Sequence, residues 1–160
     1  MEKDEMMRRL EAQERLLRFD TVSLSDLRRI GELVAERIIS KGASAYIMIR
    51  VNGLEVFALS LEGSSANNRG WALRKANIAE LNALSSMHVA LDNKGRRTLE
   101  DIGLSPLEYT FAGGAFPILL KSGLCIGSIA VSGMPSEEDH QSICSVLSEY
   151  LGIEAPSLTE

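Results

Sequence analysis

The chain has 160 residues, of which 45% are hydrophobic and 24% are charged, a composition typical of one globular domain with a sizeable core. It argues against a disordered or fibrous chain and against a miniature fold that depends on staples. The formal net charge of −5 argues against a dedicated nucleic-acid binder, which presents a basic face to phosphates. We therefore expect no nucleic-acid partner.

The segment from Met1 to Asp20 is rich in charge, whereas a secretory signal is apolar, and no apolar run reaches the length of a membrane span. We therefore expect a cytoplasmic protein without a membrane partner. In that compartment Cys125 and Cys144 are expected to stay reduced, as residues of the core.

Two helices are predicted at the start of the chain. Amphipathic spacing predicts the first over residues 1–18, and its narrow apolar stripe needs a partner surface, either the domain or a neighbouring subunit. Ser23 or Ser25 can cap the second helix, which ends at Lys41-Gly42, where glycine suits the left-handed position after a helix. The first helix is thus expected to dock by its apolar stripe.

A hairpin is predicted next. Two runs rich in β-branched and aromatic residues, Ala45 to Val51 and Leu54 to Leu59, are separated by Asn52-Gly53. This dipeptide accommodates positive φ at both central positions of a type I′ turn. The two runs are therefore expected to pair as antiparallel strands.

The middle of the chain predicts a third helix followed by a long loop. Helical periodicity begins near Asn67 or Asn68 and continues toward His88. Glycines and a proline between Leu91 and Leu107 indicate a loop, with one helical turn at Thr98 to Ile102.

Three strands and a last helix are predicted after this loop. The strands cover Tyr109 to Ala112, Phe116 to Lys121 and Leu124 to Ser132. Ser136 can cap the last helix, because Asp139 stands at the capping-box distance and the first turn is acidic.

The element order, α-α-β-β-α-β-β-β-α, predicts an α+β fold. Hairpins replace regular βαβ alternation, so the sheet should be five-stranded and largely antiparallel, with helices on both faces in a three-layer α/β/α arrangement. We divide the chain into an N-terminal amphipathic helix at 1–18, a single domain at 19–152 and a C-terminal tail at 153–160.

Several motifs stand in the order and spacing of a known family. They are Asn68-Arg-Gly-Trp71, Arg74-Lys75, Leu84-Ser85-Ser86, Gly113-Gly114-Ala115-Phe116-Pro117-Ile118, Ile126-Gly127, Val131-Ser-Gly-Met-Pro135 and Glu138-Asp139-His140. Through them the chain, from Phe19 to Leu147, resembles an uncharacterised-protein-family branch of the GlcG/HbpS-like superfamily, also called haem-degrading. The resemblance implies a profilin-like fold and a homo-oligomer, and some relatives in the wider superfamily bind haem or another tetrapyrrole. Arg69 and Gly70 depart from the acidic residues usual in this branch.

A candidate ligand surface lies on the third helix. Trp71, Arg74 and Lys75 are three and four residues apart, so an aromatic ring and two cations can point together. This face can hold a planar anionic ligand by stacking and charge, or it can form a subunit contact. Ser132 and Gly133 belong to a strand-to-helix turn whose backbone amides can receive an anion or form a plain capped turn.

The histidines are candidates for a metal role. His140 lies in the first turn of the last helix, where the dipole keeps the ring neutral. Two roles are open to it: ligation of a metal, or completion of the turn that enters the helix. His88 is expected near the end of the third helix, where a cation is favourable. If the protein binds haem, His140 or His88 is the candidate axial ligand, with Arg74 and Lys75 at the propionates. Gly113-Gly114 indicates a closely packed entry into a strand.

The leading functional hypothesis is an oligomeric binding protein for a planar anionic cofactor, such as haem or another tetrapyrrole. The alternatives are a protein-protein interaction module without a small-molecule substrate and an enzyme acting on a small metabolite. The sequence contains no nucleophile elbow, P-loop, dinucleotide fingerprint or zinc pattern, so no catalytic residue is assigned.

Overall fold

The structure is a computed structural model and describes residues 1–159. Within these residues it has five α-helices, four strands and a short 3-10 helix at Glu100–Ile102. In chain order the elements are α1 (Lys3–Leu16), α2 (Leu24–Ser40), β1 (Tyr46–Val51), β2 (Leu54–Ser60), α3 (Ala66–Asn82), α4 (Ser86–Asn93), β3 (Ala115–Leu119), β4 (Cys125–Ser132) and α5 (Ser136–Leu151). Glu160, the last residue of the predicted tail, lies outside the described residues.

Local sequence signals set the start of α2 and the first hairpin. The Ser23 hydroxyl accepts a hydrogen bond from the Asp26 amide at 3.0 Å, and the Asp26 carboxylate accepts one from the Ser23 amide at 2.9 Å. Asn52 and Gly53 have φ values of 48° and 80°, the positive values that a type I′ turn requires. The predicted cap and hairpin are confirmed, and the helical turn predicted before Gly103 is the 3-10 helix.

The sheet has four strands in the order β2-β1-β4-β3, and every neighbouring pair is antiparallel. The predicted fifth strand, Tyr109 to Ala112, is wrong. Its backbone closes a local turn instead, since the Tyr109 amide donates to the Ser105 carbonyl at 2.9 Å. The Glu108 carbonyl accepts from the Asn77 side chain of α3 at 2.7 Å. These bonds use backbone groups that a strand would direct to a neighbouring strand.

The third helix is interrupted earlier than predicted. Ala83 takes a left-handed conformation with φ 53°, which ends α3, and Ser85 then caps α4 by accepting from the His88 amide at 3.1 Å. The expectation that His88 lies near the end of the third helix is therefore wrong. It lies in the first turn of α4, because the capping serine restarts the helix.

Helices cover both faces of the sheet, as predicted. Helices α2 and α5 pack on one face over the main core, whereas α3 packs on the other. The side chains from the strands in the main core are Ile47, Ile49, Phe116, Ile118, Ile129 and Val131. On the opposite face, small residues of α3 meet small residues of the sheet: Ala72, Ala76 and Ala79 with Ala115 and Ala130. Their size lets α3 approach the strands closely, which brings its polar side chains to the sheet end.

Helix α1 and the last described residues pack against the same chain. Leu10 of α1 forms a small apolar cluster with Met87 of α4 and Leu158. Arg9 donates to the Ser157 carbonyl at 2.7 Å. The narrow apolar stripe of α1 is thus buried on α4 and the segment that follows α5.

Candidate functional site

A cavity of about 350 Å³ opens at the carboxyl end of β4, where α5 begins and the first turns of α3 pass over the sheet. Its lining combines one aromatic ring, one buried ion pair and several small polar groups. The lining residues are Asn67, Asn68, Trp71, Lys75, Ala112, Ser132, Gly133, Met134, Ser136 and Asp139. We refer to it as the sheet-end cavity.

The structure brings four of the six predicted ligand-binding residues to this cavity. Trp71 and Lys75 come from α3, and Ser132 and Gly133 come from the end of β4 and the turn after it. Arg74 lies beside them, with its guanidinium carbon 3.9 Å from the centroid of the Trp71 ring. This is a cation-π contact, and it covers one face of the indole.

Lys75 forms a buried ion pair with Asp139. The ammonium lies 2.9 Å from Oδ2 of Asp139, and the two side chains are only 5% and 1% exposed. The ammonium also donates to the Val131 carbonyl at 3.1 Å. Because water is nearly absent around both charges, each depends on the other for compensation. Lys75 therefore contributes little net positive charge to the cavity.

Asp139 does not complete the predicted capping box. Helix α5 begins at Ser136 with Pro135 before it and no side-chain cap, so the predicted Ser136 cap is wrong. The Asp139 carboxylate instead accepts from the Met134 amide at 3.0 Å and the Gly133 amide at 3.4 Å. Burial raises the pKa of Asp139, and Lys75 and these amides oppose that rise. An internal carboxylate thus occupies the two turn amides that were predicted to receive an external anion.

Glycines allow the chain to close around the ion pair. Gly114 has φ 133°, and a Cβ atom there would lie 2.6 Å from the Val131 oxygen and 2.7 Å from the Lys75 ammonium. A Cβ at Gly133 would lie 2.4 Å from the Ser44 carbonyl oxygen. Only a residue without a side chain fits these positions. The prediction that Gly113-Gly114 makes a closely packed strand entry is confirmed.

His140 is enclosed in the interior and does not line the sheet-end cavity. Gln13 donates through Nε2 to the Pro156 carbonyl and to the Gln141 side chain, so its Oε1 is an acceptor. This Oε1 lies 2.7 Å from His140 Nε2, and the hydrogen of that bond must therefore be on Nε2. The other nitrogen, Nδ1, is buried and has no hydrogen-bond partner among residues 1–159. Burial lowers the pKa of His140 to about 3, which keeps the ring neutral. The Cys144 thiol, also buried, lies 3.4 Å from Nε2.

His88 is tied to α1 and also lies away from the cavity. Its Nδ1 is 2.7 Å from the Glu14 carboxylate, which accepts a second hydrogen bond from the Ser85 amide at 2.7 Å. The bond to Glu14 raises the pKa of His88, against the effect of burial. The ring therefore links α1 to the start of α4.

Sequence reasoning missed Asp139 and Met134 as cavity residues. Asp139 lies four residues beyond Pro135, next to a turn already predicted to bind anions, but its partner Lys75 is 64 positions away in the chain. A single sequence carries no signal for that pairing. Among residues 1–159, no cluster of three or more histidine, cysteine or acidic side chains is placed to hold a metal ion.

Comparisons with known proteins agree over most of the chain. A family model described as "Haem degrading protein HbpS-like" matches residues 22–147. A UPF0303 protein of Rhizobium rhizogenes is 34% identical over 151 residues, which cover 94% of this chain and 93% of that protein. A UPF0303 protein of Yersinia enterocolitica is 36% identical over 132 residues, which cover 81% of this chain and 79% of the relative.

Solved structures share the fold. The crystal structure of Ybr137w protein matches with a TM-score of 0.84 at 26% identity, over 91% of this chain and 87% of that one. The PduOC:Heme complex matches with a TM-score of 0.69 at 16% identity, over 84% of this chain and 98% of that one, a likeness of fold alone. Within residues 1–159, none of the helices has the length and apolarity that crossing a bilayer demands. The match over residues 22–147 and the two relatives place this chain in the HbpS-like haem-degrading family.

Proposed function

We propose that this protein binds a planar, anionic small molecule in the sheet-end cavity. The observation that carries the proposal is the position of Trp71 on the wall of a cavity that also contains the buried Lys75–Asp139 pair. An indole offers a flat apolar surface for stacking. A fixed polar wall beside it provides the orientation that a specific ligand site needs.

Arg74 favours a ligand with a negative charge. Since Asp139 neutralises Lys75, the cation available to a ligand is the guanidinium over Trp71, which donates to the Gly70 carbonyl at 3.2 Å. No ion pair in the described part of the chain includes Arg74. A guanidinium binds carboxylates through two parallel hydrogen bonds. A ligand that stacks near Trp71 and carries a carboxylate would satisfy both groups.

Haem is the second candidate, and both the family description and the heme complex with the same fold support it. A haem iron needs a histidine, cysteine, methionine or tyrosine ligand. Neither histidine lines the cavity, and among the described residues Met134 is the one lining side chain of these four types. His140 has no exposed surface and His88 is bonded to Glu14. In this conformation the residues present do not fit a histidine-bound haem, so we derive no chemistry through the iron.

The two candidates are separated by comparing hemin with metal-free protoporphyrin. Trp71 is the only tryptophan, so quenching of its fluorescence reports binding to the domain, and the Arg74 variant locates that binding at the cavity. We expect saturable quenching by both compounds with affinities within a few-fold of each other. Arg74→Gln should weaken both about tenfold, the loss of one charge-assisted contact. Arg97→Gln, an exposed arginine outside the cavity lining, is the matched control and should bind as the parent does.

Two results would overturn the assignment. If neither compound quenches the fluorescence saturably, the proposal of a planar anionic ligand is wrong. Binding of hemin alone, with a Soret band that His140→Gln or His88→Gln changes, would replace the sheet-end cavity with a histidine-bound haem site. Native mass spectrometry of the purified protein reports a retained ligand and the number of subunits together, and it therefore also tests the predicted homo-oligomer.

A further inference from the structure

A second cavity, of about 230 Å³, is lined by residues of α5 that do not line the sheet-end cavity. It is bounded by α2, α5, α1 and the segment after α5, and its lining is mainly polar. The polar side chains that line it are Gln13, Arg37, Gln141, Ser145, Ser148, Glu149 and Ser157. None of these residues lines the sheet-end cavity, and the proposed function does not use them.

Arg37 is the unexplained group in this cavity. Its Nε atom is buried and has no hydrogen-bond partner in the described residues. None of the ion pairs found among residues 1–159 includes Arg37. A buried donor without a partner is destabilising, and a charged donor more so, which is why native structures seldom retain one. Arg37, which is half-buried, therefore brings a guanidinium with an unsatisfied Nε to a cavity large enough to hold an acceptor.

Most hydrogens of the neighbouring side-chain amides are already used in hydrogen bonds within the protein. Gln13 donates through Nε2 to the Gln141 oxygen at 3.1 Å and to the Pro156 carbonyl at 2.8 Å. Gln141 in turn donates to the Ser145 hydroxyl oxygen at 2.9 Å. Because Ser145 accepts in that bond, its own hydrogen is available. The donors left for a ligand thus include the Arg37 guanidinium, the Ser145 hydroxyl and the second hydrogen on Gln141 Nε2.

We infer that this cavity is a binding site for a small oxyanion, a carboxylate or a phosphate, held by Arg37 and Ser145. A guanidinium and a hydroxyl are complementary to an oxyanion, which accepts several hydrogen bonds at once. Glu149 also lines the cavity, but it is exposed, so solvent screens its charge.

The site connects segments that are distant in the chain. Gln13 belongs to α1, Arg37 to α2, Ser145 to α5, and Pro156 to the segment after α5. A ligand that binds only when these walls are assembled stabilises their docking, because binding to one state shifts the equilibrium toward it. Anion binding should therefore slow hydrogen exchange in α1.

The test uses the full chain and two probes, inorganic phosphate and acetate, each against sodium chloride at equal ionic strength. We expect a saturable rise in Tm with at least one probe, together with slower amide exchange in α1. Arg37→Gln should reduce the affinity at least tenfold. Arg29→Gln is the matched control, since Arg29 lies on the same helix, is exposed, and does not line the cavity.

Arg37→Lys distinguishes the effect of the planar guanidinium group from the effect of its positive charge. Lysine keeps the positive charge and loses the planar donor fork, so we expect affinity between those of the parent and Arg37→Gln. The inference is overturned if neither anion raises Tm beyond the chloride series, or if Arg37→Gln responds as the parent does. Equal weakening by Arg29→Gln would also overturn it, because the effect would then be a general one of surface charge.

Discussion

Acidification is expected to destabilise this protein through His140. Burial lowers the pKa of the folded ring to about 3, whereas an unfolded histidine titrates near 6.5. Below about pH 6.5 the histidine of the unfolded chain binds a proton that the buried ring of the folded chain excludes. The stability that the neutral ring supports is therefore fully present above about pH 6.5 and is lost as the pH falls toward the folded pKa.

The two pKa values set the size of this effect. Proton linkage between them gives a loss of about 3 kcal/mol at pH 4 relative to pH 7. His140 has no exposed surface, so solvent screening does not reduce the figure. Domains of this size are stable by only about 5–15 kcal/mol, so the loss is a large fraction of the total.

The assay is urea unfolding followed by far-UV circular dichroism, at several pH values from about 7 to about 4. His140→Gln is the comparison, because its side-chain amide can still donate to Gln13 and does not titrate. Other titrating groups are common to both proteins and cancel in the difference. The variant should lose about 3 kcal/mol less than the parent over this range. Parallel stability curves would refute the reasoning, since they would mean that His140 is protonated as readily in the folded state.

The His88–Glu14 bond, Gly114 and the Lys75–Asp139 ion pair each have a measurable effect on stability. The bond to Glu14 raises the pKa of His88, so the stability that this bond contributes is present below about pH 6.5 and is lost as the pH rises through the folded pKa. The unfolding free energies of His88→Gln and the parent should therefore converge at alkaline pH. A constant difference between them across this pH range would contradict the prediction. Gly114→Ala should lower the unfolding free energy by about 2–3 kcal/mol or more, because the positive φ and the close backbone contact both oppose a Cβ atom. Gly123→Ala is the control and should lose less, since Gly123 has a positive φ but a Cβ there would meet open space. Equal losses in the two variants would count against the role of the close contact at Gly114. Asp139→Asn should lower the unfolding free energy by about 3 kcal/mol, because it leaves the Lys75 charge buried without its partner. The double variant with Lys75→Met should lose less stability than the sum of the two single variants. Additive losses in thermal denaturation would show that the pair is not coupled.

Some of the fold could be predicted because its causes are local. Ser23 and Asp26 close a capping box within one turn, and Asn52-Gly53 sets the hairpin within two residues. The predicted strand from Tyr109 failed for the complementary reason. A strand requires a neighbouring strand as its hydrogen-bonding partner. Here the Tyr109 amide bonds within its own turn, and the preceding carbonyl of Glu108 accepts from Asn77.

The sequence by itself determined the family, the α+β class and four of the residues that line the sheet-end cavity, because periodicity, turn chemistry and ordered motifs are properties of neighbouring positions. Only the tertiary structure decided what those residues do. It placed Trp71 and Lys75 on a cavity, gave the turn amides to Asp139, and enclosed His140 against Gln13. These outcomes depend on contacts between residues 64 and 127 positions apart, and on burial, which controls pKa and access. Neither property exists until the chain has folded.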